Sequence, residues 1–321
     1  MYMYHEAKRV AVLFIVLGLA SPAVAQMMYW TSDSGQSIHR ASIDGGQIED
    51  LVTGEPDPVG LALDIFAGKM YWSERFGGIR RANLDGSAAE TVIEMDSSFG
   101  PRGVALDVGA GKIYWVCDTA DTIQRANLDG SDIETLHTAQ APAGLLGITL
   151  DTEAGKMYWG DSSSATISRA DLDGSNVEVI VDSGSLTPYY IEADLVAGHL
   201  YWTDYYYNAI HRANLDGSDH VTLIDTYPER PVGIALDVPG GKVYWSLYSG
   251  SVQRANLNGS DVEDVVTDLP VAWAVELDLR AEQPAIPTLS QWGVILMALM
   301  LLLAGTIVFG RCRKVTAVGN L

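Results

Sequence analysis

A single dipeptide, Tyr-Trp, recurs through the middle of the chain at a nearly constant spacing. It occurs six times, at intervals of 42, 43, 44, 43 and 43 residues, and takes up six of the eight tryptophans. The six pairs are Tyr29-Trp30, Tyr71-Trp72, Tyr114-Trp115, Tyr158-Trp159, Tyr201-Trp202 and Tyr244-Trp245. Self-similarity at a fixed period of this length predicts a repeat architecture, in which each repeat is one supersecondary unit.

Each repeat contains four short runs separated by turn signals. A Gly-hydrophobic-Ala-Leu-Asp run precedes the dipeptide, as at 60–64, and an Ile/Val-x-Arg-Ala segment follows it. An Asn-Leu-Asp-Gly-Ser turn, as at 83–87, then leads into a β-branched run, as at 178–181. Asp-Gly is a strong hairpin signal, and four strands in about 43 residues is the period of a propeller blade. We predict an all-β, six-bladed β-propeller over residues 26–285.

The first repeat lacks the run that should precede its dipeptide, and the last repeat is followed by an unmatched copy of that run at 274–278. We therefore expect the C-terminal strand to complete the first blade as its innermost strand, beside residues 28–31. Closing the ring in this way leaves no open sheet edge between the first and last blades.

The repeat set resembles the YWTD propeller of low-density-lipoprotein-receptor class B repeats, and the resemblance covers all six blades. Residues 201–204 match all four letters and residues 158–161 match three. The fourth position is Ser32, Glu74, Cys117 and Leu247 in the other repeats. The resemblance implies a six-bladed propeller.

Both ends of the chain are predicted to lie outside the propeller. Residues 1–25 combine Lys8-Arg9, a short apolar run and an Ala-x-Ala site, which is typical of a secretory signal peptide. Residues 292–309 form an apolar stretch followed by a basic cluster at 311–314. At 1.5 Å per residue this stretch spans about 27 Å, which predicts a transmembrane helix with a short cytoplasmic tail at 315–321.

The segment 286–314 resembles the IPTLxxWG C-terminal sorting signal of Gram-negative bacteria. The matching residues are Ile286, Pro287, Thr288, Leu289, Trp292 and Gly293. The resemblance implies that an exosortase-type processing enzyme recognises and removes the tail. It also implies a location at the cell surface or outside the cell after an initial membrane-anchored stage.

Composition excludes several classes of protein. The formal charge is -21, and residues 26–285 hold 40 of the 41 acidic and 15 of the 20 basic residues, or about -25. Nucleic-acid binding is therefore not expected, because phosphate contacts need clustered Lys and Arg. Two cysteines cannot form a disulfide scaffold, and Cys117 is expected to be a buried thiol. No hydrolase, metalloprotease or phosphate-loop motif is present.

Residues present in every repeat are expected to serve the fold. The Tyr and Trp rings supply apolar area between blades. A repeated arginine is expected to pair with the Asp that ends the inner strand, or with Asp161 and Asp204. These arginines are Arg40, Arg81, Arg125, Arg169, Arg212 and Arg254. The Glu that begins five outer strands is interpreted as a charge protecting an exposed edge.

Function is expected where the repeats differ, in the 2–3 and 4–1 connections on one face of the propeller. Aromatic and Arg side chains on variable loops over a rigid scaffold are typical of a recognition surface for a protein or glycan. An alternative is loop variation without recognition, with tyrosines packing locally. The candidate binding residues are Arg75, Phe76, Phe99, Arg102, Tyr189, Tyr190, Tyr205, Tyr206, Tyr207, Tyr227, Arg230, Tyr248 and Trp273.

Two carboxylates, Glu192 and Glu276, replace small inner-strand residues and are expected near the central channel. They are weak candidates for a metal site, because two carboxylates rarely make a tight hard-ion site. We therefore expect a non-catalytic binding or adhesion module without a cofactor. Two alternatives stay open, namely a metal-dependent lactonase-like or esterase-like hydrolase and a structural matrix protein.

Overall fold

A computed structural model describes residues 26–142, 144–182 and 184–280. These residues form six four-stranded sheets and no helix. The predicted all-β six-bladed propeller is therefore confirmed. The signal peptide, the sorting segment and the apolar stretch 292–309 lie outside the described residues. Within the described ranges, no helix is long and apolar enough to cross a membrane.

Every blade is an antiparallel sheet, and its strands are given from the channel outward. The first blade comprises β24 (Val275–Asp278), β1 (Met27–Ser32), β2 (Ser37–Ser42) and β3 (Glu49–Thr53). The second comprises β4 (Pro58–Asp64), β5 (Lys69–Glu74), β6 (Gly78–Asn83) and β7 (Glu90–Glu94). The third comprises β8 (Pro101–Asp107), β9 (Lys112–Cys117), β10 (Thr122–Asn127) and β11 (Glu134–Thr138). The fourth comprises β12 (Leu145–Asp151), β13 (Lys156–Asp161), β14 (Thr166–Asp171) and β15 (Glu178–Asp182). The fifth comprises β16 (Pro188–Asp194), β17 (His199–Asp204), β18 (Ala209–Asn214) and β19 (Val221–Asp225). The sixth comprises β20 (Pro231–Asp237), β21 (Lys242–Leu247), β22 (Ser251–Asn256) and β23 (Glu263–Val266).

Burial changes along each blade from the channel outward. The second strand, which carries the Tyr-Trp pair, is buried on both faces because its sheet lies between two neighbouring blades. The outer strand is mostly exposed, with a single buried position near its end. Trp72 and Trp202 are fully buried, as the structural interpretation of the repeated dipeptide requires. The core is therefore a ring of apolar clusters between successive blades.

The third motif position carries a hydroxyl in four blades, and this hydroxyl joins adjacent blades. Thr203 Oγ1 donates to the carbonyl of Val232 at 2.5 Å, and Ser73 Oγ donates to that of Arg102 at 2.5 Å. Thr31 bonds the carbonyl of Val59 in the same way. Because each acceptor lies on the inner strand of the next blade, the hydroxyl fixes the spacing between two sheets.

The partners predicted for the repeated arginines are wrong. Arg169 pairs with Glu178 on the outer strand, at 2.6 Å, and not with an inner-strand Asp. The antiparallel register places these two residues directly opposite each other. The inner-strand carboxylates instead accept backbone N–H groups of the following turn, as Asp64 does from Ala67 at 2.9 Å. The same outer-strand pairing occurs in four other blades, at Arg40–Glu49, Arg81–Glu90, Arg125–Glu134 and Arg254–Glu263.

Hydrogen bonds between connections define the two faces of the ring. The 3–4 turn bonds the 1–2 turn of its own blade, as Leu84 N–H does to the Gly68 carbonyl at 3.0 Å. We call this side the turn face. The 2–3 loop bonds the 4–1 loop, as Arg75 N–H does to the Asp57 carbonyl at 3.1 Å. We call this side the loop face, and the variable connections lie on it as predicted.

The first blade takes its inner strand from the far end of the chain. Strand β24 is antiparallel to β1, with Met27 opposite Asp278 and Trp30 opposite Val275. Inner strands of successive blades contact one another around the channel, and β24 lies between β20 and β4. The N-terminal end of β1 and the C-terminal end of β24 therefore lie at the turn face.

Candidate functional site

Five aromatic side chains form a contiguous group on the loop face, which we call the loop-face cluster. Its members are Tyr189, Tyr205, Tyr206, Tyr248 and Trp273. Tyr189 stacks on Tyr205 with ring centroids 4.7 Å apart and on Trp273 at 6.1 Å. Tyr248 meets Tyr205 and Trp273 edge to face, and Tyr206 meets Tyr205 in the same way at 5.0 Å. Such stacked and edge-to-face pairs hold the rings in fixed relative positions.

The cluster lies around the propeller axis, at the loop-face end of the channel. Its rings come from the fifth blade, the sixth blade and the segment that leads into β24. They pack on Val59 and Val232, which lie on the inner strands of the second and sixth blades. Side chains from blades that are not neighbours meet only near the axis. The cluster therefore covers the loop-face end of the central channel.

Two arginines accompany the cluster. The Arg230 guanidinium lies 5.1 Å from the Tyr205 ring centroid and donates to the Tyr205 hydroxyl at 3.3 Å. Arg102 lies 5.7 Å from the Trp273 ring and pairs with Asp118 at 2.6 Å. A cation held over a ring face is attracted by the ring quadrupole. The contacts of Arg102 join the third blade, which carries Arg102 and Asp118, to the cluster.

Asp204, the fourth residue of the complete motif, holds the loop that carries the tyrosines. Its carboxylate accepts from the Thr187 hydroxyl at 2.5 Å and from the Tyr207 N–H at 3.1 Å. Burial by itself raises the pKa of Asp204, but hydrogen bonds from His211, Thr187 and Tyr207 hold that pKa below its ordinary value. Sequence reasoning did not assign this role. The sequence did offer one signal for this role, because the only complete YWTD motif, at 201–204, directly precedes the three tyrosines at 205–207.

Three predicted surface residues are largely buried. Tyr205 is 7% exposed, and Trp273 and Arg102 are similarly covered. Their role as exposed contacts was therefore predicted wrongly. The cause is packing, because the fifth-blade 2–3 loop folds inward over the channel and Tyr205 becomes the base on which the other rings rest.

Other predicted residues are exposed as expected. Tyr206 is 62% and Tyr248 is 43% exposed. Tyr207, Tyr227 and Phe76 are also exposed on the loop face, but no ring contact joins them to the cluster among the described residues. Arg75 lies over the Phe76 ring, apart from the cluster, and Phe99 packs partly buried against the interface of the second and third blades.

Three buried polar groups in and beside the cluster have no acceptor among the described residues, namely Arg102 Nη1, Tyr190 Oη and Trp273 Nε1. Burial raises the pKa of Tyr189 to about 12, and it also raises the pKa of Tyr190. Both phenols therefore stay protonated at neutral pH and can donate. The cluster thus combines apolar ring area with hydrogen-bond donors.

Below the cluster the channel holds a cavity of about 320 Å³ that Tyr190, Glu192 and Glu276 line. Thr149 Oγ1 donates to Glu192 Oε2 at 2.7 Å. Burial raises the pKa of Glu192, and burial together with the negative charge of Glu192 raises the pKa of Glu276 well above its ordinary value. Residues 26–142, 144–182 and 184–280 contain no group of three or more His, Cys, Asp or Glu side chains able to hold a metal ion.

Comparison with known proteins supports both predicted resemblances. Residues 155–186 match the low-density lipoprotein receptor repeat class B family, and residues 284–307 match the IPTL-CTERM motif. The chain is 39% identical to mouse (Mus musculus) nidogen-2 over 82 residues, which is 25% of this chain and 6% of nidogen-2. It is 36% identical over 77 residues to low-density lipoprotein receptor-related protein 1 of Pyricularia oryzae, which is 21% of this chain and 25% of that protein. The chain thus spans a minor part of these relatives.

Solved structures share the fold at lower identity. The nidogen chain of a nidogen/laminin complex superposes with a TM-score of 0.71 at 21% identity, covering 79% of this chain and 98% of that chain. Virginiamycin B lyase from Staphylococcus aureus superposes with a TM-score of 0.54 at 19% identity, covering 71% of this chain and 79% of that chain. The propeller fold is therefore shared by a protein that forms a complex with another protein and by an enzyme.

Proposed function

We propose that this chain is an exported protein-binding propeller that carries out no chemistry and binds its partner on the loop face. The observation that carries this proposal is the arrangement of the loop-face cluster. Tyr206 and Tyr248 are exposed and contact the buried rings of Tyr205 and Trp273. The half-buried ring of Tyr189 stacks on both of these buried rings. Rigid aromatic side chains with polar tips lose little conformational entropy on binding, and they are enriched among interface hot spots.

The relatives support a protein as the partner. Nidogen has the same fold and was solved in a complex with laminin. The donors without an acceptor in and beside the cluster favour a partner that presents oxygen acceptors, such as a carboxylate or an amide side chain. A glycan shares this chemistry and is the other outcome of the capture experiment below.

A metal-dependent hydrolase is less well supported. Such an enzyme needs an axial ligand set, and in the described part of the chain no third carboxylate or histidine joins Glu192 and Glu276 in a group that could hold a metal. The likeness to virginiamycin B lyase, at 19% identity, concerns the fold alone. A structural matrix role makes no use of the exposed rings of Tyr206 and Tyr248.

We further propose that the chain is exported by its first 25 residues, held in a membrane by residues 292–309, and then released or transferred by an exosortase-type enzyme. The match of residues 284–307 to the IPTL-CTERM motif supports this order of events. The motif and the nidogen likeness together favour a secreted or surface protein. In a host without such an enzyme, the full chain should fractionate with membranes, and a chain ending at Glu282 should be exported soluble.

We also propose that strand β24 keeps the ring closed. Its position beside β1, together with the bond from Ser246 Oγ to the Trp273 carbonyl at 2.5 Å, supports this role. The tail would then leave the propeller directly from the strand that completes the first blade. The loop face, at the opposite end of every strand, would stay free for the partner.

A capture experiment tests the proposed binding function. The immobilised chain should retain an extracellular protein from its host, and a Tyr206→Ala/Tyr248→Ala variant should retain much less of it. A Val177→Ser variant, which changes an exposed side chain outside the loop face, is the matched control and should bind like the parent. Equal retention by all three chains would contradict the proposed surface. If the bound material is still retained after proteolysis but is lost after deglycosylation, the partner is a glycan.

A further inference from the structure

The 1–2 turns of the turn face carry exposed apolar side chains at their tips. Phe66 is 97% exposed and Val196 is 88% exposed, and Leu195 and Val108 are also exposed. These turns have the same length, and each follows the Asp that ends an inner strand. The turns of the second, third and fifth blades therefore present apolar side chains near the turn-face end of the channel, Phe66 and Val196 at the second turn position and Val108 and Leu195 at the first. Solvent exposure of a whole Phe ring has no structural benefit within the propeller itself.

The apolar tips are not distributed evenly. The fourth blade carries the polar pair Thr152 and Glu153 at the equivalent position, and both are exposed. In a six-bladed ring the fourth blade lies opposite the first. The first blade has no 1–2 turn, because the chain leaves the propeller there after β24. The apolar tip of the second blade therefore adjoins the exit of the chain, the tips of the third and fifth blades lie two blades away on either side of it, and the polar tip lies farthest from it.

The segment after β24 is held against the 1–2 turn of the second blade. Arg280 pairs with Asp278 and donates to the carbonyl of Ile65, the residue before Phe66, at 3.3 Å. Eleven residues, 281–291, separate Arg280 from the apolar stretch that begins at Trp292. A chain of that length reaches at most about 40 Å. The face that carries Phe66 is thus the face from which the chain continues toward its apolar stretch.

We propose that the turn face rests on a lipid bilayer while the tail is anchored, with Phe66, Val196, Leu195 and Val108 inserted into its interface. This inference rests on the membrane anchor in the proposed function. Moving exposed apolar side chains from water into an apolar phase lowers the free energy. The anchor keeps them near the surface, so that a few side chains are enough. Docking in this orientation directs the loop face away from the membrane.

The charge of the same face defines the kind of lipid. The 3–4 turns lie around the apolar tips and carry a repeated Asp, namely Asp85, Asp129, Asp173 and Asp216. Hydrogen bonds from the Ser two residues later lower the pKa of each of these carboxyls. All four are ionised at neutral pH and repel anionic headgroups. The turn face therefore fits a zwitterionic surface, and anionic lipid should weaken its docking.

Probes at single cysteines test this orientation in the full chain. With Cys312→Ser as background, a polarity-sensitive maleimide dye is placed by Phe66→Cys, Val196→Cys, Glu153→Cys or Ser163→Cys. Cys117 is fully buried and its pKa is raised to about 11, so that it should not react. Each chain is reconstituted into phosphatidylcholine vesicles that contain a nitroxide-labelled lipid, and flotation confirms attachment. Ser163 lies in a loop-face connection and is the matched control.

We expect dyes at 66 and 196 to be quenched by the labelled lipid, the dye at 153 to be quenched less, and the dye at 163 to stay unquenched. With the dye at 196, Phe66→Glu should lower the docked fraction by roughly tenfold or more. Adding phosphatidylglycerol should also lower it, and salt should reverse that loss.

Three outcomes would overturn the inference. Flotation of the chain with dyes at 66 and 163 equally unquenched would overturn the lipid docking and leave the anchor intact. Failure of the chain to float would overturn the anchor together with the docking. Shielding at 66 that depends on the protein-to-lipid ratio and not on labelled lipid would show that a second copy covers the face.

Discussion

Arg169 in the fourth blade donates from Nη1 to the backbone carbonyl of Leu215 in the fifth blade, at 3.1 Å. Its Nε simultaneously pairs with Glu178 Oε1 at 2.6 Å. The same carbonyl contact recurs between four other blade pairs, at Arg40–Leu84, Arg81–Leu128, Arg125–Leu172 and Arg254–Ile43. In these five blades the repeated arginine therefore links its blade to the 3–4 turn of the next, and the outer-strand Glu orients it. Between the fifth and sixth blades the Tyr201 hydroxyl donates to the equivalent carbonyl, that of Leu257, at 3.3 Å.

This relationship predicts that the arginine matters more than its carboxylate. Arg169→Ala removes the donor to Leu215 and should lower the free energy of unfolding by about 1–3 kcal/mol. Glu178→Gln keeps the arginine and loses only a half-exposed ion pair, so it should cost roughly 0–1 kcal/mol. Urea denaturation of both variants measures the difference. Equal losses would mean that the carbonyl contact contributes nothing.

The arginines also show where sequence reasoning was sufficient and where it failed. The 43-residue period located all six positions and predicted that they serve the fold. The partner depended on register, which places Arg169 opposite Glu178 after a shift between Ile167 and Ser168. Irregular pairing of this kind follows from backbone packing and leaves no clear signal in a single sequence.

The loop-face cluster was predictable in position but not in geometry. Aromatic residues on variable connections indicated the correct face. The stacking of Tyr189 on Tyr205, and the burial of Tyr205 beneath Tyr206 and Tyr248, depend on how loops of several blades meet at the axis. Contacts between loops far apart in the chain are set by the closed ring, and no local pattern encodes them.

Burial separates a binding role from a structural role within this cluster. Tyr206→Ala/Tyr248→Ala removes exposed rings, so partner binding should weaken by roughly thirty-fold while the melting temperature changes little. Tyr205→Ala removes the buried base and should cost about 3–5 kcal/mol of stability. Trp202→Ala is the control for unfolding of the blade. Thermal melts and affinity measurements on the same variants separate loss of binding from loss of stability. A double variant that binds like the parent would show that the partner binds at another surface.

The proposed closure by β24 predicts a large effect of a small truncation. Deleting residues 272–279 would leave β1 as an exposed inner edge and should cost several kcal/mol, on the order of 3–5, of buried contact. A gentler test is Gly233→Ala, because its Cβ would lie 2.2 Å from the Trp273 carbonyl oxygen. Gly109→Ala, whose Cβ meets nothing closer than 3.5 Å, is the control. A truncated chain that melts like the full one would contradict the closure.

The channel carboxylates give a prediction about pH. Glu276 and Glu192 have pKa values raised in the folded state, and burial is the largest cause for both. A carboxyl with a raised folded pKa adds stability when protonated, and that contribution is lost as pH rises through the folded pKa. The pair should therefore destabilise the propeller increasingly above the ordinary Glu pKa of 4.5.

Replacing Glu276 by Gln should remove the part of this penalty that Glu276 contributes, because the buried amide cannot ionise beside the negative charge of Glu192. At pH 8 the free energy of unfolding of the variant should exceed that of the parent by on the order of 1 kcal/mol. This difference corresponds to a Tm higher by about 2–4 °C for a domain of this size. The gain should shrink as pH falls and become small near pH 4, where most of the carboxyls are protonated in either state. Glu94→Gln, at an exposed position on β7, is the control and should change Tm little at any pH. Melting curves from pH 4 to pH 8 test this, and a gain at pH 4 as large as at pH 8 would show that the Glu276→Gln substitution acts by packing and not by charge.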